Sequence, residues 1–324
     1  MISLKKYSNL ARYQSLIALF FLCMVLALMT DNFMTADNFW NVMRQISVNV
    51  CISVGMTLVI LTAGIDLSVG SVLALCGAIT AGLLKNGIGI PSENLFIGFT
   101  VFGVVVAGIL SGGAMGFING YAITKFKVPS FVATLAMLTM ARGFTMLWTR
   151  GHPITGLGDS FGFLGTGWFL GIPMPVWISG IIVLGAVILT SKTRFGRYVY
   201  AIGGNENAAR LSGIPITKIK IWVYALAGML AAVGGVLVTA RLDSAQPNAG
   251  ISYELDAIAA VVIGGTSLSG GRGSIWGTVL GAMIIGVLNN GLVLLDVSPF
   301  WQQVIKGLVI LMAVIIDKSN QKGE

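Results

Sequence analysis

Long apolar runs separated by short polar segments dominate this chain, rather than an alternation of single apolar and polar residues. Ten runs stand out, at residues 15–30, 40–62, 66–84, 95–122, 129–148, 175–190, 220–240, 254–269, 275–295 and 300–316. Each is at or near the length a helix needs to cross a hydrocarbon core of ~30 Å. The pattern predicts an all-α polytopic membrane protein of about ten transmembrane helices, a single transmembrane domain over residues 1–324. Composition agrees. Hydrophobic residues make up 56% of the chain and charged residues only 10%, with a mean hydropathy of +0.88. A soluble domain carries about 25% charged residues, so lipid has to be the solvent here.

Charge then orients the runs. Lys5, Lys6 and Arg12 precede the first run, which places the N-terminus in the cytoplasm. That start resembles a signal peptide but lacks an A-x-A cleavage site, so it reads as an uncleaved first helix. With ten spans, residues 1–14, 123–128, 191–219, 270–274 and 317–324 face the cytoplasm and hold most of the 20 basic residues. The opposite face holds Lys85, Arg150 and Arg241 against Asp31, Asp37, Glu93, Asp159, Asp243 and Asp296. Both termini are therefore expected inside. The net charge of +8 follows this bunching of basic residues in inter-helix segments, and so points to membrane orientation and not to nucleic acid. Cys23, Cys51 and Cys76 fall inside apolar runs and His152 stands alone in a loop, so no metal site is expected.

Two polar breaks interrupt the apolar pattern. In VILTAGIDLSVGSVLAL (59–75), Asp66 and Ser68 sit in a Gly- and Ser-rich gap between two runs. An ionisable residue there marks a functional site by default; the other reading is a tight loop whose Asp caps the next helix. Residues 264–291 echo residues 64–87, each passing from a Gly/Ser break into an apolar helix that ends in Asn-Gly. Either an internal repeat or simple Gly/Ala/Val composition accounts for that. Gly108, Gly112, Gly116 and Gly120, and again Gly277 and Gly281, recur every four residues, a spacing that predicts close helix–helix contact.

The longest cytoplasmic segment, 191–220, begins with Lys192, Arg194 and Arg197. Gly203-Gly204-Asn205 reads as a turn, and Glu206 to Leu211 as a short helix ended by Ser212-Gly213 with Pro215 beyond. Such a helix is either a docking element for a soluble partner or an amphipathic surface loop. Along the spans, Asn49, Ser53, Thr57, Asn119, Asn289 and Asn290 offer amides and hydroxyls, fit for a neutral polar substrate or for interhelical hydrogen bonds. Arg44, Arg142 and Lys306 lie within spans and are expected to snorkel to the interface. No Gly-x-x-x-x-Gly-Lys-Ser/Thr loop and no G-x-S-x-G elbow occurs, so the chain is not expected to hydrolyse ATP or to be an enzyme. An ion-coupled secondary transporter is the alternative class.

Four stretches carry a resemblance: VGMTLVILTAGIDLSVGSVLAL (54–75), TRFGRYVYAIGGNENAARLSGI (193–214), SAQPNAGISYELDAIAAVVIGGTSLSGGRGSIWGT (244–278) and NNGLVLLDVSPFWQQVIKGLVILMAV (289–314). The chain resembles the permease subunits of bacterial ribose-type ABC importers, a family that also serves xylose, galactose and related sugars. The resemblance implies a homodimer in the bacterial inner membrane. It also implies a cytoplasmic sugar-type ABC ATPase that alone binds ATP-Mg, and a periplasmic sugar-binding protein that delivers a monosaccharide. Residues 205–213 are similar to the coupling-helix motif of importers, Ala208, Ala209 and Gly213 matching its spacing and its acidic residue displaced to Glu206. Gly203, Gly204, Asn205 and Leu211 complete that segment. Asp66, Ser68, Asn49, Thr57, Asn119, Asn289 and Asn290 are then candidates for the route or its inner gate. Arg241, Asp243, Tyr253, Glu254 and Asp256 flank an outer loop that is a candidate docking surface for the binding protein.

Overall fold

A computed structural model describes residues 2–90 and 95–322; Glu93 lies outside the described residues. Thirteen helices occupy most of the described chain: α1 (Ile2–Met29), α2 (Ala36–Leu61), α3 (Val69–Asn86), α4 (Val101–Lys125), α5 (Ser130–Thr149), α6 (Asp159–Thr166), α7 (Met174–Lys192), α8 (Arg194–Gly204), α9 (Glu206–Leu211), α10 (Ile216–Leu242), α11 (Tyr253–Ile263), α12 (Ile275–Leu294) and α13 (Pro299–Lys322). Seven of them (α2, α3, α4, α5, α7, α10 and α12) are long and apolar enough to cross a membrane, and Ser15–Met29 of α1 is a shorter apolar stretch. The protein is an all-α polytopic membrane protein. Large apolar side chains remain on the outside, among them Phe20, Phe102, Ile181 and Phe300, as lipid permits.

Helix starts are set by side-chain caps. The hydroxyls of Thr100, Thr193 and Ser274 accept from the N–H groups of Gly103, Gly196 and Gly277 at 3.2, 3.2 and 3.0 Å, and Thr35 caps α2 through Asn38 N–H. Each cap satisfies one of the donors left over in a first turn. The span expected at 95–122 starts later, at Val101, because Leu95–Ile97 pairs antiparallel with Ile88–Ile90. The stretch between α5 and α7 holds α6, which the apolar pattern did not mark.

Two compact units divide the chain. The first, from Ile65–Ile181 and Pro215–Glu254, is organised around α10, against which α3, α4 and α6 pack. The glycine stripe of α4 works as its spacing predicts. A Cβ at Gly112 would collide with the Gly228 carbonyl, one at Gly116 with the Tyr224 carbonyl and one at Gly120 with Ile221. Bare backbones in contact gain dispersion and short polar contacts where lipid supplies no hydrophobic drive. The second unit, from residues up to Gly64, Ile182–Ile214 and residues from Leu255 onward, packs α1 and α2 against α12 and α8 against α2. Gly277 and Gly281 of α12 abut Gly264 and the Ala260 carbonyl.

The two polar breaks share one local geometry. At the end of α2, Ala63 N–H donates to the Ile60 carbonyl (2.8 Å) and Gly64 N–H to the Val59 carbonyl (3.2 Å). At the end of α11, Gly265 N–H donates to Val262 (2.9 Å) and Thr266 N–H to Val261 (3.1 Å). This is the Schellman pattern, with Ala63 (φ 59°) and Gly265 (φ 83°) in the left-handed region. In both breaks an oxygen-bearing side chain then caps the N–H two residues on, Asp66 to Ser68 at 2.9 Å and Ser267 to Ser269 at 3.2 Å.

One expected span takes another form. The run 254–269 yields only α11, whose 11 residues extend about 16 Å, short of a bilayer core. Gly264 and Gly265 end it early. The approach to α11 is not helical. Ser244–Ala245 pairs with Ile154–Thr155, and Ala245 shares a core cluster with Ala78 and Ala81 of α3. Gly250, by contrast, lies against Gly70, eight residues or about 12 Å further along α3. Residues 246–252 thus run alongside α3 into the depth of the span before α11 begins.

Candidate functional site

The segment read as a coupling element stands out from the surface. Asn205 breaks the helix between α8 and α9, and its side-chain oxygen accepts from Ala208 N–H at 2.9 Å. Ser212 N–H closes the other end on the Ala208 carbonyl, and Gly213 takes a φ of 78°. Ala208, Arg210, Ser212 and Gly213 are exposed, Leu211 is 90% exposed, and Ala209 alone of α9 is buried. Glu206 and Arg210 form an exposed ion pair at 3.1 Å, worth only about 0.3–0.5 kcal/mol. The six-residue helix therefore rests on its caps and presents an apolar tip.

Gly203 and Gly204, expected as a turn, instead close the last turn of α8. The Thr193 cap and an apolar face carrying Val199 and Ile202, both buried, extend helix where glycine alone suggests a bend. Gly203 is the tightest point of the second unit. A Cβ there would meet the Leu61 carbonyl and the Gly271 N–H, while one at Gly204 would meet nothing. Gly271 N–H itself donates to the Leu61 carbonyl at 3.0 Å, and Tyr200 O–H donates to the Gly273 carbonyl at 2.9 Å. The C-terminal end of α8, from which α9 projects, is thus locked to the end of α2 and to the break that precedes α12.

In the first unit, Asp66, Ser68 and Asn119 form one buried network. Asp66 Oδ1 accepts from the Ser68 N–H (2.9 Å) and hydroxyl (2.6 Å), and Asn119 Nδ2 donates to the Ser68 hydroxyl at 3.0 Å. Asp66 is 1% exposed. It does not cap α3 in the usual way; it caps the turn ahead of it, and Ser68 at the N-cap position makes no side-chain cap bond. Asp66 lies in the loop between α2 and α3, outside both helices, where burial pushes its carboxyl up from the ordinary range and the Ser68 bonds oppose that. Tyr224, 1% exposed, carries its buried hydroxyl beside Ser130.

Arg142 does not snorkel. Its Nη1 donates to the carbonyls of Pro247 (2.8 Å) and Ala249 (2.9 Å), with Glu254 in electrostatic reach. Non-helical backbone at membrane depth needs donors and acceptors from protein, since water is absent; Arg142 supplies the donors. Glu254, read as part of an outer docking surface, reaches inward to where a Cβ on Gly70 would stand. Asp243 does stay at the surface, exposed and in a left-handed conformation, its Oδ1 accepting from Leu157 N–H at 2.8 Å. Arg241 and Tyr253 are half-buried.

In the second unit, Thr57 and Thr278 share a 2.7 Å hydrogen bond, and Asn290 exchanges bonds of 2.8 and 3.1 Å with Asn38. Asn49 is buried. Asn289 Nδ2 donates to Asp256 Oδ2 at 3.3 Å, and Lys306 Nζ pairs with the same oxygen at 3.0 Å. Asp256, read as an outer-loop residue, is therefore buried, and Lys306 is paired and not snorkelling. Among the described residues of the second unit, Thr57, Asn289 and Asn290 belong to three separate local networks. Asp256 and Lys306 were missed as partners because 50 residues separate them; the signal present was two opposite charges, one in each of two apolar runs.

Residues 38–314 match the family model described as branched-chain amino acid transport system / permease component. The ribose import permease protein RbsC of Escherichia coli strain K12 is 51% identical over 316 residues, covering 96% of this chain and 95% of that protein. Its namesake in Bacillus subtilis strain 168 is 50% identical over 306 residues, covering 94% and 92%. The L-arabinose transport system permease protein AraH of Escherichia coli strain K12 is 37% identical over 313 residues, covering 97% and 92%. No solved structure matches. The chain belongs to the branched-chain amino acid transport system permease family.

Proposed function

We propose that this chain is the membrane permease subunit of an ATP-driven, binding-protein-dependent importer of a monosaccharide, ribose first among the sugars. The observation that carries this is the 51% identity to a ribose import permease across nearly the whole of both chains, joined to a capped, exposed helix at α9 where such a subunit needs an ATPase contact. Two copies form the route. Each crosses the bacterial inner membrane ten times with both ends in the cytoplasm, the 246–252 stretch and α11 together making the eighth crossing.

Energy enters at α9. Closure of the ATPase displaces Leu211 and its neighbours. Because Gly203 is in backbone contact with Leu61 and Gly271, α8 carries that displacement to the end of α2 and to the break before α12. Rigid spans then convert it into a change of the side from which the route is open. A neutral, hydroxyl-rich solute passes amides and hydroxyls without needing a counter-charge.

Co-purification tests the assignment. A tagged chain co-expressed with its ATPase should carry that ATPase and a second copy of itself through detergent extraction, and Leu211→Asp should release the ATPase while the two chains stay together. A chain that purifies alone and moves sugar down a proton or sodium gradient would refute the reading.

A further inference from the structure

Resting on the importer reading, we infer that Asp256, Asn289 and Lys306 form a hydroxyl-binding site for the transported sugar inside the second unit. Helices α11, α12 and α13 each contribute one of the three polar side chains. Asn289 stands five residues before the end of α12 and Lys306 seven residues beyond the start of α13, so the cluster lies about 8–10 Å from those helix ends. It is therefore within the apolar depth of the span. Asp256 is 4% and Asn289 6% exposed, while the Lys306 side chain, at 23%, forms the open edge.

Packing alone does not account for Asn289. Its Nδ2 must face the Asp256 carboxylate, because the reverse orientation would set oxygen against oxygen. That leaves Asn289 Oδ1 buried with no hydrogen-bond partner among the described residues, a costly condition at this depth. The neighbouring Asn290 shows the contrast: its amide is met by Asn38 in both directions. The carboxylate and the amide oxygen accept and the ammonium donates, which matches adjacent sugar hydroxyls, each able to do both. The carboxylate and ammonium neutralise one another, so the cluster suits a neutral polyol better than an acid or an amine.

The test uses the complete importer in proteoliposomes, with its ATPase and binding protein, and labelled D-ribose and D-arabinose, which differ only in configuration at C2. Asn289→Leu should cut ribose uptake about tenfold and change the ribose-to-arabinose ratio at least about threefold. Co-purification of the ATPase and of a second copy with the variant shows that the complex still assembles. An unchanged ratio, whatever happens to the rate, would overturn the site. Lys306→Arg keeps the ion pair and moves the donor, so it serves where the leucine variant does not assemble; the same change or constancy of the ratio decides. Wild-type importer that moves neither sugar with ATP and binding protein would instead strike down the importer reading, and this site with it.

Discussion

The carbonyl oxygen of Leu61 occupies the place where a Cβ on Gly203 would stand. The end of α2 and the end of α8 therefore touch through bare backbone, and the Gly271 N–H, bonded to that same carbonyl at 3.0 Å, makes a third member. A contact without side chains has little slack, which suits it to carry displacement. Gly203→Ala should destabilise the protein by about 1–3 kcal/mol, the usual cost of overpacking, and reduce sugar moved per ATP hydrolysed. Gly204→Ala, with open space around the new methyl, should stay within about 0.5 kcal/mol of wild type. Thermal unfolding and coupled uptake measured on the pair check this; equal behaviour of the two variants would contradict it.

Arg142 is expected to be the support of the 246–252 stretch. Arg142→Leu leaves two carbonyls at depth without donors, and hydrogen bonds to a charged group contribute about 1.5–3 kcal/mol each. Arg142→Lys should rescue only part of the loss, since a point charge does not reproduce the guanidinium fork. Limited proteolysis within 246–252 reads out the release directly.

Asp66→Asn should leave assembly intact and slow uptake, because the Ser68–Asn119 network persists with a weaker acceptor. The pH dependence has a definite sign. Burial raises the Asp66 pKa in the folded protein, so this group contributes stability that is fully present below the ordinary carboxylate range and is lost as pH rises through the raised value. The unfolding temperature of wild type should therefore fall relative to Asp66→Asn across that rise; parallel profiles would contradict it.

At the exposed turn, Arg241→Glu combined with Asp243→Lys should lower ATP hydrolysis stimulated by the binding protein while leaving basal hydrolysis unchanged. Stimulation equal to wild type would remove this turn from the docking surface.

The run lengths made α2, α3, α4, α5, α7, α10 and α12 legible, because lipid demands about 20 apolar residues for each crossing. The exposed α9 was legible from Asn205, Ser212 and Gly213, whose caps act locally. What the chain hid was set by distant contacts. Gly203-Gly204 reads as a turn until Val199 and Ile202 are seen to bury one face of α8. The run 254–269 reads as a span because composition does not record that Gly264 and Gly265 end α11. Arg142 and Lys306 read as snorkelling because their partners, Pro247 and Ala249 in one case and Asp256 in the other, lie far along the chain.

Uptake of labelled ribose into proteoliposomes holding this chain and its ATPase, with and without binding protein and with ATP enclosed or omitted, separates an ATP-driven importer from an ion-coupled transporter. Accumulation that requires both enclosed ATP and binding protein is the result predicted. Accumulation that ignores ATP and follows a proton or sodium gradient would contradict the account.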